Sequence, residues 1–226
     1  CAVNSVVINI DMLVKTPYTV SIDDMPLLEV GKHDLTVPSG DFFYDPWVLL
    51  EEYKNTVWES IWNSLPIAAG QARIIIMESP SCYTQHADID DRYHLNLSGD
   101  QNYLIDLDNQ QMHKLVKDGV WYKMDAGRLH TAISVGEHTR MQLVVRKLLT
   151  RNTLKNSVSV KITAAGSNPR YSFDNTMSVW LNRASKNKTI SNFKQSETSV
   201  YFDVEHSLLE ELESIIPKEF KFKVIK

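Results

Sequence analysis

The sequence predicts a mainly β protein with α+β additions, and three observations carry that reading. Eight short apolar runs crowd into residues 73–148, separated by turn residues. The stretch before them carries apolar residues at helical spacing. The stretch after them alternates strand-like and helix-like segments in the order β, α, β, β, α, β.

The first stretch opens with strand-like runs over 3–10 and 18–22, followed by a predicted helix over 45–65. Asp45 suits its N-cap and Pro46 its first helical position. Trp47, Leu50, Tyr53, Val57, Trp58, Ile61, Trp62 and Leu65 recur at spacings of three and four, which makes one aromatic-rich face. A face of that kind predicts core support, not a cofactor box. The eight runs fall at 73–78, 82–86, 92–97, 103–107, 112–116, 120–124, 130–135 and 141–148. Ser98-Gly99-Asp100, Asp108-Asn109, Asp118-Gly119, Ala126-Gly127 and Gly136-Glu137 punctuate them. Strands so short and evenly spaced point to a jelly roll or closed barrel, because closing the sheet removes the unpaired edges they would otherwise expose. Further on, strands are predicted at 158–164, 189–194, 199–204 and 220–225. Helices are predicted at 173–184, capped by Asp174, and at 203–216, stopped by Pro217. That order is the one of a ferredoxin-like βαββαβ lobe. The expected organisation is a β domain with N-terminal support over 1–150 and a small α+β lobe over 151–226.

Composition narrows the function classes. Of the 226 residues, 43% are hydrophobic and 23% charged, which suits a soluble globule with a sizeable core. With 24 basic against 28 acidic side chains the net charge is −4, and no basic face is visible, so general nucleic-acid binding is not expected. No apolar run reaches the roughly 18 residues of a membrane helix, so no membrane role is expected either. The two cysteines, Cys1 and Cys82, form no CxxC pair, which fits a reducing cytoplasm, and Cys82 reads as a small buried side chain. Cys1 leads into an apolar strand-like run and not into the polar tether of a lipid anchor, and no signal or transit segment is read.

The chemistry concentrates around three histidines. His86 and Asp88 stand two apart, so in an extended segment both side chains point to one face. His130 opens a strand after the Asp125-Ala126-Gly127 turn, and Arg140 stands at the start of the last strand of the eight. Two imidazoles and one carboxylate on one face of a metal leave three adjacent positions open, the arrangement that non-haem Fe(II) oxygenases use. The Arg140 guanidinium offers a planar two-pronged donor to a carboxylate-bearing co-substrate. Each of these residues also has a purely structural reading. His86 and Asp88 can be an edge pair that only hydrogen-bonds, and Arg140 can pair with Glu137 or Asp125. Arg92 can pair with Asp90 or Asp91, and His94 can form a rival triad with His86. Tyr83, Tyr93 and Trp121 line either a pocket or the core, and His33, His113, His138 and His206 read as ordinary polar positions.

The ordered segments are His86-Ala87-Asp88, Arg92-Tyr93-His94-Leu95-Asn96-Leu97, Gly119-Val120-Trp121, Asp125, His130, and Arg140 followed by Gln142-Leu143-Val144-Val145. Through them residues 80–146, about a third of the chain, resemble the double-stranded β-helix core of the 2-oxoglutarate- and Fe(II)-dependent oxygenases. The likeness is to the aspartyl/asparaginyl β-hydroxylase-like group, which includes bacterial proline hydroxylases. The resemblance implies that His86, Asp88 and His130 bind iron and that Arg140 holds the distal carboxylate of 2-oxoglutarate. It makes Arg92 and His94 candidates for the metal-proximal carboxylate. Some aspartyl hydroxylases carry Gly where Asp88 stands, so the retained carboxylate is more similar to the proline-hydroxylase branch. The implied reaction is hydroxylation of an amino acid, free or in a peptide and Asp/Asn or Pro-like, with dioxygen consumed, succinate and carbon dioxide as co-products and no separate general base. Two alternatives stand beside it: a cupin-like metalloprotein that uses the same ligands without 2-oxoglutarate, and a non-catalytic binding protein whose C-terminal lobe recognises a partner.

Overall fold

The computed structural model describes residues 11–23, 25–164, 175–196, 198–218 and 220–225. The expected strand over 3–10, Cys1 and the expected cap Asp174 lie outside the described residues. In chain order the first elements are β1 (Leu13–Thr19), β2 (Gly31–Asp34), β3 (Thr36–Pro38), β4 (Trp47–Leu49) and α1 (Val57–Asn63). Next come β5 (Ala69–Met77), β6 (Ser81–Cys82), β7 (Arg92–Ser98), β8 (Asn102–Asp106), β9 (Gln111–Leu115), β10 (Val120–Met124), β11 (His130–Ser134) and β12 (Arg140–Lys147). The last are β13 (Ser157–Thr163), α2 (Asn175–Lys186), β14 (Ile190–Gln195), β15 (Ser199–Glu205), α3 (Leu209–Ile215) and β16 (Lys221–Ile225).

The protein is mainly β, and seven of the eight apolar runs in 73–148 form strands, while 82–86 is a strand only at Cys82, with His86 in an isolated bridge to His130. A six-stranded antiparallel sheet has the order β1-β10-β7-β12-β5-β2, and a four-stranded one the order β6-β11-β8-β9. The chain passes back and forth between the two: β5, β7, β10 and β12 lie in the first, and β6, β8, β9 and β11 in the second. A third antiparallel sheet, β14-β15-β13-β16, is built from the end of the chain, and β3 with β4 makes a small ribbon. No described helix is long and apolar enough to cross a membrane.

Strand alternation sorts the six-stranded sheet into two faces with different work. Tyr93, Leu95 and Leu97 of β7, Leu143 and Val145 of β12, and Ile74 and Ile76 of β5 turn to one face. There they pack with Trp121 against Leu35 and against Trp58, Ile61 and Leu65 of the α1 region. Tyr93 and Trp121 are therefore core residues, and the Trp121 indole donates to Ser64 Oγ at 2.9 Å. On the opposite face β10 contributes Tyr122 and Met124 to a second core with Leu104, Leu115 and Ala132 of the four-stranded sheet. Arg92, His94, Arg140 and Gln142 share the period-two register of that inner face and are buried.

Several expected elements differ. Residues 45–65 are not one helix: β4 comes first, a single 3₁₀ turn at Glu51–Tyr53 follows, and only Val57–Asn63 is α-helical. Trp47 and Leu49 are buried while Val48 is exposed, so this apolar run follows period two. Asn55, at φ +59, breaks the chain direction, and Thr56 caps α1 by accepting from the Trp58 amide at 3.2 Å. Asp45 caps no helix; it accepts from the Asp41 amide at 2.7 Å and pairs with Arg151. The last helix also starts later than residue 203, because Val204 is fully buried as part of β15, and α3 begins at Leu209. The run expected over 18–22 is displaced as well, with β1 ending at Thr19.

The third sheet packs its inner face, with Val160, Ile162, Phe202 and Val204, against Trp180 and Leu181 of α2 and Leu212 of α3. Phe43 and Ile89, from the first half of the chain, insert into that core. Ile61 is fully buried beneath the six-stranded sheet, so Ile61→Ala should leave a cavity and lower stability by about 2–5 kcal/mol in urea unfolding.

Candidate metal centre

Backbone pairing brings the three predicted ligands together. His86 and Asp88 lie on the loop after β6, and His130 is the first residue of β11. The His86 amide donates to the His130 carbonyl and the His130 amide to that of His86, each at 2.9 Å, while the Asp88 amide donates to Ala126 O at 2.7 Å. This ladder fixes the imidazoles side by side, with ring centroids 4.4 Å apart. One ligand atom each of His86, Asp88 and His130 lies within 4.8 Å of the others, and among the described residues no other group of His, Cys, Asp or Glu meets that test. The rival triad with His94 is not formed.

The protonation of the imidazoles follows from their neighbours. His86 Nδ1 lies 2.8 Å from Thr84 O and His130 Nδ1 2.7 Å from Arg128 O. A carbonyl only accepts, so each Nδ1 is the donor and each Nε2 is the nitrogen left to face a metal. This is how ligating histidines are held for a metal. Burial, then the neighbouring His86, lowers the His130 pKa, which further favours the neutral ring. Two imidazoles and a carboxylate fit a divalent transition metal that retains open positions.

Asp88 is oriented from behind. Arg92 Nη2 stands 3.0 Å from Asp88 Oδ1, and Arg92 Nη1 pairs with Asp90. Asp90, 3% exposed, also accepts from Arg146 through Nε at 2.7 Å and Nη2 at 3.0 Å. Burial pushes the Asp90 carboxyl up, but Arg146 and Arg92 hold it below the usual carboxylate range. Of its two sequence-predicted partners Arg92 pairs with Asp90, and it pairs with Asp88 as well.

Arg140 is different. It is 2% exposed, donates to Gln142 Oε1, and approaches Met77 Sδ at 3.4 Å, while its Nε has no partner. Among the described residues no carboxylate forms an ion pair with it, neither Glu137 nor Asp125. Asp125 is held instead by Arg128 and Lys186. Burial draws the Arg140 pKa down to about 10, so it stays cationic at neutral pH. Both ring nitrogens of His94 and Nε2 of Gln142 are also buried without partners. Burial first, then Arg140, His130 and Arg92, holds His94 well below the usual imidazole range. A cation with no carboxylate partner, beside buried nitrogen atoms that lack hydrogen bonds, calls for a polar, anionic occupant.

Some functional neighbours were not singled out from sequence. Gln142 alternates with Arg140 in the first half of β12, and Asp90 adjoins Arg92; these were the available signals. Arg146, on the same strand, gave none beyond its charge. Tyr83 is half-buried, with its phenol pKa raised by burial and lowered by the nearby Arg140. Cys82 is exposed, contrary to its expected burial, because its strand lies at the edge of the four-stranded sheet. No family model matches the chain, and no curated protein does.

Removing one partner of a buried ion cluster leaves uncompensated charge, so Asp90→Ala should destabilise the fold by about 3–5 kcal/mol in chemical denaturation. His94 predicts a pH dependence with a definite sign. Its folded pKa lies below the ordinary 6.5, so the unfolded chain binds a proton that the folded one refuses. In chelator-treated protein, stability should therefore fall as pH drops below about 6.5, and His94→Gln should flatten that fall in urea titrations at several pH values. The Asp90 contribution has the same sign in a lower window: it is present above the unfolded carboxylate pKa of about 3.9 and fades only as pH falls below that value.

Proposed function

We propose that the chain is an Fe(II)- and 2-oxoglutarate-dependent oxygenase that hydroxylates an amino acid, free or within a peptide. The observation that carries this reading is the buried, unpaired guanidinium of Arg140 in the same protein interior as a His-Asp-His cluster. A metal site alone would not need it; a co-substrate with a free carboxylate would.

The strand arrangement supports a double-stranded β-helix reading of the core. Of the eight strands β5 to β12, the alternating set splits into β10-β7-β12-β5 and β6-β11-β8-β9. His86 and Asp88 follow the second of these strands, His130 opens the seventh and Arg140 the eighth. The antiparallel order β14-β15-β13-β16 with two helices likewise supports a ferredoxin-like lobe over 151–226, set on an oxygenase domain over 1–150. The choice of an amino-acid substrate rests on the resemblance to aspartyl/asparaginyl and proline hydroxylases.

In this reading His86, Asp88 and His130 hold the iron through two Nε2 atoms and one carboxylate oxygen. Arg140 receives the distal carboxylate of 2-oxoglutarate, and Gln142 orients its guanidinium plane by accepting from Nη2. His94, neutral and unpartnered, can donate one ring N–H to the metal-proximal carboxylate. Arg92 is a positioning residue for Asp88, which it holds through Nη2. When bound, iron with 2-oxoglutarate and dioxygen supplies oxidative decarboxylation to succinate and carbon dioxide and the insertion of one oxygen atom into a C–H bond. Leu104, Ala132 and Met124, in the core between the two sheets, limit water on that side.

The test is anaerobic titration with Fe(II) and 2-oxoglutarate, followed by the visible metal-to-ligand charge-transfer band. The band should form with the native chain and vanish in His130→Ala. In Arg140→Ala the metal should stay bound while 2-oxoglutarate weakens by at least about 30-fold, because truncating one side of a buried charge pair costs about 2 kcal/mol or more. If metal binds and 2-oxoglutarate never does, a cupin-like metalloprotein is the better description.

A further inference from the structure

The loop 86–91 that carries two of the ligands and the loop 125–130 that carries the third are both touched by one helix, and that helix belongs to the third sheet's layer. On α2, Asn182 and Lys186 stand four apart and so share a face. Asn182 is 3% exposed, and its Nδ2 donates to the Asp88 carbonyl at 3.2 Å. The same side chain lies so close to Gly127 that a Cβ there would meet Asn182 Cγ at 2.2 Å, so the turn before His130 is seated directly on this amide. One turn along, Lys186 Nζ pairs with Asp125 Oδ1 at 2.5 Å and with Asp91 Oδ1 at 2.8 Å, which ties one residue of each loop to a single ammonium. Ile89, next to Asp88, packs into the core beneath α2 and the third sheet. The two loops touch each other through backbone bonds at Asp88–Ala126 and His86–His130, and α2 contacts both through Asn182 and Lys186.

We infer that Asn182 and Lys186 are positioning residues for the metal centre, and that α2 sets the spacing of Asp88 and His130, so that the C-terminal part of the chain controls metal affinity. This rests on the metal-centre reading above. The physical reason is that outer partners of ligand-bearing segments fix the orientation of the ligands, and their removal typically weakens metal binding about 10- to 100-fold. Neither side chain touches the ligand atoms themselves, and Lys186 is partly exposed, so its replacement should leave the core packing of α2 intact.

The experiment measures Co(II) and Fe(II) affinity anaerobically on the full chain, with the Co(II) d–d spectrum as a report on ligand geometry, beside the melting temperature of the metal-free protein. Lys186→Met should weaken Co(II) binding about 10-fold and alter the d–d spectrum. Lys186→Arg, which keeps the charge between Asp91 and Asp125, should restore affinity to within about threefold of the native value. Asn182→Leu, which keeps the branching and heavy-atom count but not the amide donor, should add a further loss. Native affinity and an unchanged spectrum in Lys186→Met and Asn182→Leu, with His130→Ala unable to bind, would overturn the role of α2 and leave the metal centre standing. A native chain that binds Co(II) no better than His130→Ala would overturn both. Weakened affinity that tracks a lowered melting temperature and is not restored by Lys186→Arg would assign α2 to stability alone and overturn the inference.

Discussion

A carboxylate shut away from water, Asp90, sits between two guanidinium groups, and much of the structure around the candidate metal centre depends on it. The register of β7 and β12 sets Arg92 directly opposite Arg146, a pairing of like charges that would repel inside a protein. Asp90 accepts from both, and the Arg146 guanidinium also lies over the Phe42 and Phe43 rings at 5.0 and 5.3 Å. With the repulsion neutralised, β7 and β12 can run side by side through the middle of the six-stranded sheet. Arg92 then has one hand left for Asp88. The orientation of a metal-facing carboxylate thus follows from the charge balance of a strand pair.

The parts of this arrangement that were legible in the sequence are those governed by a local period. Alternation along Arg92-Tyr93-His94-Leu95 and along Arg140-Met141-Gln142-Leu143 separates a polar interior face from an apolar one, and the structure follows it residue by residue. His86 and Asp88, two apart, could be read as converging, and His130 could be read as opening a strand. What sequence could not decide was partner choice at long range. Arg92 had aspartates adjacent to it and a co-substrate role in prospect, and only the position of β12 shows that Asp90 is already shared with Arg146. Residues 45–65 fail for another reason: Trp47, Leu50, Trp58 and Ile61 satisfy helical spacing by accident of composition, while Trp47 and Leu49 also satisfy period two, and packing against the ribbon partner β3 decides for the strand. Local pattern leaves such a tie unbroken.

The contact between α2 and the ligand loops was equally hidden, because nothing in the local pattern of 175–186 points toward residues some ninety positions earlier. Glycine at 127 reads as a turn residue from sequence, and it does end a turn. Its more demanding role is spatial, since any side chain there would occupy the place of the Asn182 amide. Two layers that fold from separate parts of the chain therefore meet at the one point where the ligands need to be held.

The strongest argument for an anionic occupant comes from comparing the two ends of β12. At one end Arg146 is half-buried and receives a two-pronged carboxylate together with aromatic faces. At the other Arg140 is buried to the same extent or more and receives a glutamine oxygen and a thioether sulfur. Both guanidinium groups face the same desolvation problem, which for an unpaired ion amounts to several kcal/mol. The fold solves it internally at Arg146 and leaves it open at Arg140, beside a neutral His94 with both nitrogens free. A structural arginine would be expected to look like Arg146; one kept for a carboxylate that arrives from solution would look like Arg140.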